Sequence, residues 1–247
     1  MEEKILEVSG LQVSYQSSRK TPFEKKKSIQ VLKNINFSME KGEILGLVGE
    51  SGSGKTTLAR AILGMIPYEG SIIRGAGHPQ MVFQDPFGSL NPSKKVGWIL
   101  EEPLRLKGGF SGPQRKERVV AMLQKVGLDE KFLERYPRQL SGGQRQRICI
   151  AGALMLEPEM LIADEPVSAL DVTIQAQILE LFEKLHEEMK LSLLFISHDL
   201  RVVYRMCDRV MIMKGGQIVE KGPVEQVYFR YQNAYTGELL KAAGICE

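Results

Sequence analysis

GESGSGKT, residues 49–56, is the stretch that decides the fold of this chain. It follows a short apolar run at 44–48, and helical spacing begins at Thr56, so strand, loop and helix come in that order. Small residues let successive backbone N–H groups converge on one anion, and the helix start adds the positive end of its dipole. The stretch, called the phosphate loop below, therefore predicts phosphate binding, with Lys55 on the outer phosphates and the Thr56 hydroxyl on Mg²⁺. The alternative, a glycine-rich turn without a ligand, would not require Lys-Thr between a strand and a helix.

On both sides of this loop the apolar pattern predicts further elements. Residues 96–139 carry helical spacing without a convincing strand, which indicates an inserted helical subdomain. After residue 143, strands alternate with helices, an order typical of a parallel, helix-flanked sheet. We therefore predict an α/β fold with an antiparallel β portion and an inserted α-helical subdomain. The predicted strands are 5–15, 31–39, 44–48, 81–83, 160–163, 193–196, 210–213 and 217–219, and the predicted helices are 56–63, 99–106, 114–126, 144–156 and 172–189.

Two adjacent carboxylates, Asp164 and Glu165, end the apolar run at 160–163. The carboxyl edge of a parallel sheet is where such folds bind ligands, so these acids are expected beside the phosphate loop. Asp164 is then placed to hold Mg²⁺ through water, and Glu165 to polarise an attacking water. The alternative is a pair of acids that caps the next helix.

Two further polar residues follow predicted strands. His198 follows the strand at 193–196, so we expect it to contact a terminal phosphate at the same sheet edge; a lone histidine with a structural role is the alternative. Gln84 follows the strand at 81–83, and the same geometry would bring it to the metal or to the water. Taken alone, a glutamine after a strand indicates nothing.

A second anion-binding design stands at LSGGQ, residues 140–144, which we call the signature loop. A serine hydroxyl, two glycines and the start of a helix together can bind a phosphate. The alternative is an ordinary helix N-cap with a flexible approach, which has the same sequence pattern. Two phosphate-binding devices in a chain with acids for only one nucleotide are unexpected. The surplus is explained if the signature loop binds the nucleotide of another subunit.

Composition and charge exclude several classes of protein. The 247 residues carry a net charge of +3, too small to indicate nucleic-acid binding, and the lysine-rich stretch at 19–33 is expected to be a solvated loop. The three cysteines are far apart and predict neither disulfides nor a metal site. The acidic start MEEKILEVSG is not expected to be a signal peptide, and no window approaches the roughly 20 apolar residues that cross a bilayer.

Taken together and in order, these motifs resemble those of the ABC ATPases. The matching elements are the phosphate loop, Gln84, LSGGQ at 140–144, ADEP at 163–166, SALD at 168–171 and SHD at 197–199, so the resemblance covers nearly the whole chain. It implies a RecA-like core with a β subdomain at 1–87 and 145–230, a helical subdomain at about 88–144 and a helical tail at about 231–247. It also implies head-to-tail dimers, with ATP and Mg²⁺ held between one subunit's phosphate loop and the other's signature loop.

The resemblance also implies a role for each matching residue. Tyr15 would stack on adenine, Asp171 would communicate between the two sites of the dimer, and the reaction would be ATP hydrolysis. The catalytic set would be Lys55, Gln84, Glu165 and His198, and the Mg²⁺ set Thr56, Gln84 and Asp164. The remaining nucleotide contacts would be Gly49, Glu50, Ser51, Gly52, Ser53, Gly54, Lys55, Thr56 and Thr57, and the residues acting on the partner's ATP would be Leu140, Ser141, Gly142, Gly143 and Gln144.

A finer resemblance is to the ATPases of peptide and nickel importers. It is carried by the loop at 16–29, the run VFQDPFGSLNP at 82–92, EEPL at 101–104 and two tail segments, Gly222-Pro223 and 234–236. Departures are an abridged segment between Gly64 and Gln84, Gly152 where arginine is common, and the lack of the paired tail cysteines that bind an iron–sulfur cluster in some relatives. The cargo therefore stays open between peptides and nickel, free or as a chelate.

The resemblance to importer ATPases implies specific partners and a cellular location, and three alternative functions compete with it. The partners would be a second ABC ATPase (a copy or a paralogue), two transmembrane permeases and an extracytoplasmic binding protein, with no nucleic acid, at the cytoplasmic face of the inner membrane. A DNA-repair-type ATPase is disfavoured because Gln144 and Asp164 stand close in sequence, without room for a long coiled coil. An exporter is disfavoured by the segments at 84–92 and 222–236, and a non-enzymatic subunit by the complete catalytic set.

Overall fold

The computed structural model describes residues 3–16, 28–75 and 77–245, so most of the loop expected at 16–29, together with Cys246, lies outside the described residues. The strands are β1 (Lys4–Gln16), β2 (Ser28–Glu40), β3 (Ile44–Val48), β4 (Glu69–Arg74), β5 (Gln80–Val82), β6 (Met160–Asp164), β7 (Ser192–Ile196), β8 (Arg209–Lys214) and β9 (Gln217–Pro223). The helices are α1 (Lys55–Ile62), α2 (Pro86–Ser89), α3 (Val96–Lys107), α4 (Gly112–Lys125), α5 (Gly142–Leu154), α6 (Val172–Met189), α7 (Leu200–Met206), α8 (Val224–Phe229) and α9 (Ala234–Ala242), with short 3-10 turns at Glu130–Glu134 and Pro137–Gln139.

The chain divides into two compact units. The first consists of Met1–Pro79 together with Ser192–Glu247, and the second of Gln80–Leu191. The α/β class with an antiparallel β portion is confirmed, because the first unit holds both an antiparallel sheet and parallel strands. The subdomain boundaries at 87, 145 and 230 stay a prediction.

The antiparallel sheet of the first unit has the order β2-β1-β4. β1 pairs with β2 from Lys4 opposite Glu40 to Gln16 opposite Ser28. Its alternating side chains bury Leu6 and Val8 on one face, which is the period-two pattern visible in the sequence. β4 is an element that the sequence analysis did not predict; it pairs with β1 on the other side.

The other strands of the first unit place the phosphate loop. β3 lies between β7 and β8, parallel to both, and β9 closes that side antiparallel to β8. All five residues of β3 are buried, as expected for a central parallel strand. Because Leu47 pairs with Ile196, the segments that follow β3 and β7 leave the sheet at the same edge.

The second unit is mostly helical, as predicted for 96–139. Its parallel pair β5–β6 brings the ends of two strands together, with Val82 opposite Ala163. Within its described residues, no strand lies between β5 and β6. The longest helix, α6, has 18 residues and buries one apolar face, and among the described residues no helix is long and apolar enough to cross a bilayer.

Candidate functional site

The phosphate loop joins β3 to α1, and at two of its three glycines a side chain would clash with neighbouring atoms. Gly54 has φ +108°, and a Cβ there would lie 2.9 Å from Leu32 Cδ2. A Cβ on Gly49 would lie 2.2 Å from the Met213 carbonyl oxygen. Within the first unit, the loop therefore packs so closely against its neighbours that side chains do not fit at these two positions.

Lys55, the first residue of α1, is held inside the loop. Its ammonium group is buried and donates to the carbonyl oxygens of Gly49 at 2.7 Å and Glu50 at 3.1 Å. A buried ammonium needs such partners, because burial without them is strongly unfavourable. The positive charge is consequently fixed at the centre of the loop.

The loop also carries polar groups suited to an anion and a metal. The Ser53 hydroxyl is buried and has no hydrogen-bond partner among the described residues, whereas the Ser53 carbonyl accepts from Gly216 N–H at 3.0 Å. Gly54, which precedes α1, offers no capping side chain to the first N–H groups of the helix. Mg²⁺ prefers oxygen ligands, so the Thr56 hydroxyl of the first unit and the Asp164 carboxylate of the second unit each have suitable chemistry for that ion.

Tyr15 and His198, both in the first unit, are each placed by a strand. Tyr15 lies near the end of β1, opposite Ile29, with 40% of its surface exposed. His198 lies two residues after the end of β7, in a turn where the Ser197 hydroxyl accepts from Asp199 N–H at 3.0 Å. Asp199 in turn caps α7.

The second unit brings Gln84 and Glu165 together. Asp164 is the last residue of β6 and is 4% exposed. Glu165 follows with φ +47°, a left-handed backbone that is strained for a residue other than glycine. Gln84 Nε2 donates to Glu165 Oε2 at 3.1 Å, and the Ser168 hydroxyl donates to the Glu165 carbonyl at 3.0 Å. The carboxylate and its backbone are therefore both oriented by neighbours.

The signature loop leads into α5, which is capped by its own residues. The Ser141 hydroxyl accepts from Gln144 N–H at 3.3 Å, and the Gln144 side chain accepts from Ser141 N–H at 3.0 Å. This reciprocal pair is a capping box, and it starts the helix two residues earlier than predicted. A Cβ on Gly143 would lie 2.6 Å from Ile174 Cγ2, so this glycine permits a close approach of α5 to α6.

Asp171 is the N-cap of α6. Its side chain accepts from Ile174 N–H at 3.0 Å. Gln175, one turn along, donates from Nε2 to the carbonyls of Val167 and Leu170 at 3.0 Å each. The segment between Glu165 and α6 is thus fastened to the helix that follows it.

The sequence analysis missed several residues that support these loops. Arg145 donates to the carbonyls of Pro137 and Leu140, which precede Ser141. An arginine directly after the signature loop was visible, but nothing in its spacing indicated where its side chain would bind. Cys149, one turn further along α5, contacts the Pro86 carbonyl at 3.6 Å, and burial raises the pKa of its thiol to about 12.

Comparisons with known proteins agree with the motifs. The family model described as "ABC transporter" matches residues 32–168. The dipeptide transport ATP-binding protein DppF of Haemophilus influenzae is 45% identical over 96% of this chain and 77% of its own length. The oligopeptide transport ATP-binding protein OppF of the same organism is also 45% identical, over 98% of this chain and 79% of its own.

Solved structures give the same fold. A dimer of the ATP-binding cassette MJ0796 in a post-hydrolysis state, bound to ADP and Pi, has a TM-score of 0.76 with 29% identity, over 89% of this chain and 98% of that one. CbiO1 of Clostridium perfringens, part of the transporter complex cbiONQ, has a TM-score of 0.78 with 25% identity, over 99% of this chain and 96% of that one. Motifs, fold and relatives agree: the chain belongs to the ABC transporter family, as one of its ATP-binding and ATP-hydrolysing subunits.

Proposed function

We propose that this chain powers a peptide importer. The observation that carries the proposal is the 45% identity, over nearly the whole chain, to subunits named for dipeptide and oligopeptide transport. The chain would pair head to tail with a second ABC ATPase, a copy or a paralogue, and act on two permeases supplied by an extracytoplasmic binding protein. Its place would be the cytoplasmic face of the inner membrane, held there by the permeases.

The proposed chemistry gives each site residue a task. Lys55, fixed inside the phosphate loop, binds the β- and γ-phosphates of ATP. Thr56, Gln84 and Asp164 would hold Mg²⁺, which would supply positive charge where negative charge develops on the phosphates.

Glu165 is the proposed general base, which polarises the water that attacks the γ-phosphate. The Gln84 amide supports this role because its hydrogen bond at 3.1 Å orients the carboxylate. His198 contacts the γ-phosphate.

The rest of the nucleotide site is proposed from the sequence motifs. Tyr15, which is partly exposed, stacks on adenine. The partner's signature loop closes over the bound ATP, and Asp171 links the two sites through the dimer. The segment at 84–92 is the proposed contact with the permeases, since Gln84 joins it to Glu165.

The first test substitutes Glu165 in the assembled complex. Glu165→Gln keeps the size of the side chain and removes its charge, so ATP should still bind while hydrolysis falls by about 100-fold or more. Glu157→Gln is the matched control, because Glu157 has the same left-handed backbone, φ +51°, but pairs with Arg118 outside the proposed site. Turnover within twofold of wild type for both variants would exclude Glu165 as the base.

The cargo is tested with the reconstituted transporter. ATP hydrolysis and uptake are measured together while short peptides and Ni²⁺ chelates are offered in turn. Stimulation by peptides alone supports the proposal, and stimulation by a nickel chelate alone replaces peptides with nickel. ATP-driven export of substrate would overturn import and leave the ATPase assignment standing.

A further inference from the structure

Arg145 connects the signature loop to the segment proposed to meet the permeases. Its Nε donates to the Pro137 carbonyl at 3.1 Å, and its Nη2 donates to the Leu140 carbonyl at 2.8 Å. Both carbonyls belong to the backbone that leads into Ser141. The guanidinium therefore holds the approach to the signature loop with two charge-assisted hydrogen bonds.

The same guanidinium lies over the ring of Phe87. Arg145 Cζ is 5.1 Å from the ring centroid, within the range of a cation–π contact. Phe87 lies in α2 and is 56% exposed, so one part of its ring meets Arg145 while the rest meets solvent. The ring is oriented by its backbone, because Asp85 caps α2 and accepts from Phe87 N–H at 2.9 Å.

A second contact fixes α2 against α5. Cys149, one helical turn after Arg145, has its Sγ 3.6 Å from the Pro86 carbonyl oxygen. Arg145 and Cys149 therefore lie on one face of α5, the face that meets α2. A displacement of α2 would act on the guanidinium directly, because Phe87 and Arg145 are already in contact.

We infer that Arg145 is a positioning residue that couples permease contact at Phe87 to the geometry of the signature loop. Covering the exposed ring removes water from the guanidinium–ring contact, which strengthens such contacts. The strengthened contact fixes the guanidinium, and the guanidinium fixes the Pro137 and Leu140 carbonyls. Docking thus favours the one loop geometry that these hydrogen bonds allow, and a ligand that prefers one state shifts the population toward it. This inference rests on the proposed function, in which the segment at 84–92 meets the permeases and the signature loop binds the partner's ATP.

Arginine is suited to this task and lysine is not. A planar guanidinium donates along its edge to two carbonyls while its flat face stacks on an aromatic ring. An ammonium keeps the charge but cannot present an edge and a face together. Arg145→Lys therefore separates positioning from a general need for positive charge at this point.

The experiment measures how strongly the permeases and a peptide-loaded binding protein stimulate hydrolysis in the assembled complex. Arg145→Lys and Phe87→Leu should each lower the stimulation ratio by about tenfold, the scale of one lost charge-assisted interaction. The stimulation ratio of the double variant should equal that of the more impaired single variant, since both changes interrupt the same contact. Phe87→Tyr keeps the ring and should retain the stimulation.

Arg118→Lys is the matched control. Arg118 lies over the ring of Phe110 at 4.7 Å and pairs with Glu157, so it loses the same kind of contact elsewhere in the second unit. Its stimulation ratio should stay within twofold of wild type. An equal loss in this control, or single effects that multiply in the double variant, would overturn the coupling.

A separate assay keeps this inference apart from the proposed function. Ser141→Arg should block ATP-driven dimerisation of the subunit, which tests only whether the signature loop acts on a partner. If Ser141→Arg blocks dimerisation but the effects at 87 and 145 multiply, the inference fails and the proposed function stands. If Ser141→Arg dimerises normally, the proposed action of the signature loop on a partner's ATP fails, and the inference fails with it, while the importer assignment is left to the cargo assay. Melting temperatures of all variants identify any that is merely unfolded. If Arg145→Lys is unfolded, the stimulation ratios of Phe87→Leu and Phe87→Tyr decide whether the ring contact couples docking to the signature loop.

Discussion

The helices α1 and α5 both begin after glycine-rich loops, yet the two starts are completed in different ways. At α1 the preceding residue is Gly54, which has no side chain to cap the first N–H groups. At α5 the Ser141 hydroxyl and the Gln144 side chain form a reciprocal capping box. The first start has no side-chain cap, whereas the second satisfies part of its own hydrogen-bonding capacity.

The charges follow the same division. The phosphate loop encloses the ammonium group of Lys55, bound to two of the loop's own carbonyls. At the signature loop, the cation Arg145 binds the Pro137 carbonyl before the loop and the Leu140 carbonyl at its first residue. The phosphate loop therefore holds a cation with its own carbonyls, whereas the helix start at the signature loop is preformed by its own side chains. In the proposed function, that preformed surface meets the ATP of another chain.

The largest expected effect comes from placing the two defects in different chains. A dimer of a Lys55→Ala chain with a Ser141→Arg chain keeps one intact site if sites are shared between chains. A dimer of wild type with a chain that carries both changes then keeps none. We expect the first pairing to hydrolyse ATP about 100-fold faster than the second, the scale of losing a positioned catalytic arrangement.

The reverse order of activities would show that each chain uses its own signature loop. The measurement is steady-state hydrolysis by complexes purified through two different tags. Each complex carries the same two substitutions, so general destabilisation acts on both pairings alike.

A smaller effect is expected from alanine at the glycines that precede or open each helix. Gly54→Ala meets both a left-handed backbone and Leu32 Cδ2 at 2.9 Å, so it should lower the free energy of unfolding by about 1–3 kcal/mol and weaken ATP binding. Gly142→Ala is the control, since its Cβ would lie 3.3 Å from Leu170 Cδ2 without a left-handed φ. The control should stay within about 1 kcal/mol of wild type. Denaturant titration and nucleotide binding measure both, and equal losses would contradict the difference drawn between the loops.

The smallest effect concerns the capping box. Ser141→Ala removes the hydroxyl that accepts from Gln144 N–H and should cost about 1 kcal/mol of stability. Ser111→Ala is the control, because Ser111 and Gln114 form the same box at the start of α4. Both should lower stability similarly, but only Ser141→Ala should weaken ATP-driven dimerisation. A loss of dimerisation in both would assign the effect to helix capping alone.

The order and type of most elements could be predicted from the sequence, because local patterns decide them. Alternation of buried side chains in β1 and the fully apolar β3 are visible as letters. β4 was missed because its apolar residues, Ile72 and Ile73, are few and at least partly exposed. Its position comes from pairing with β1, a contact between residues that are distant in sequence.

The site divides in the same way. Motif spacing was enough to predict the phosphate loop, Asp164, Glu165 and the signature loop as site residues, since these predictions depend on residue type and on the neighbouring strand or helix. The hydrogen bond from Gln84 to Glu165 and the contact of Arg145 with Phe87 depend on side-chain conformations across the second unit. No spacing rule predicts those contacts, because they arise only in the folded chain.

The left-handed backbone at Glu165 has a consequence for how long variants substituted at this position would persist in a cell. Holding a glutamate at φ +47° costs on the order of 1–3 kcal/mol, which glycine or asparagine would partly recover. Proteases and chaperones remove chains according to the fraction unfolded, so they would spare such a variant. If Glu165 is the proposed base, such a variant would accumulate at full abundance without turning over ATP. A mutation at this position would then escape quality control, and selection on transport would be needed to keep the glutamate in place.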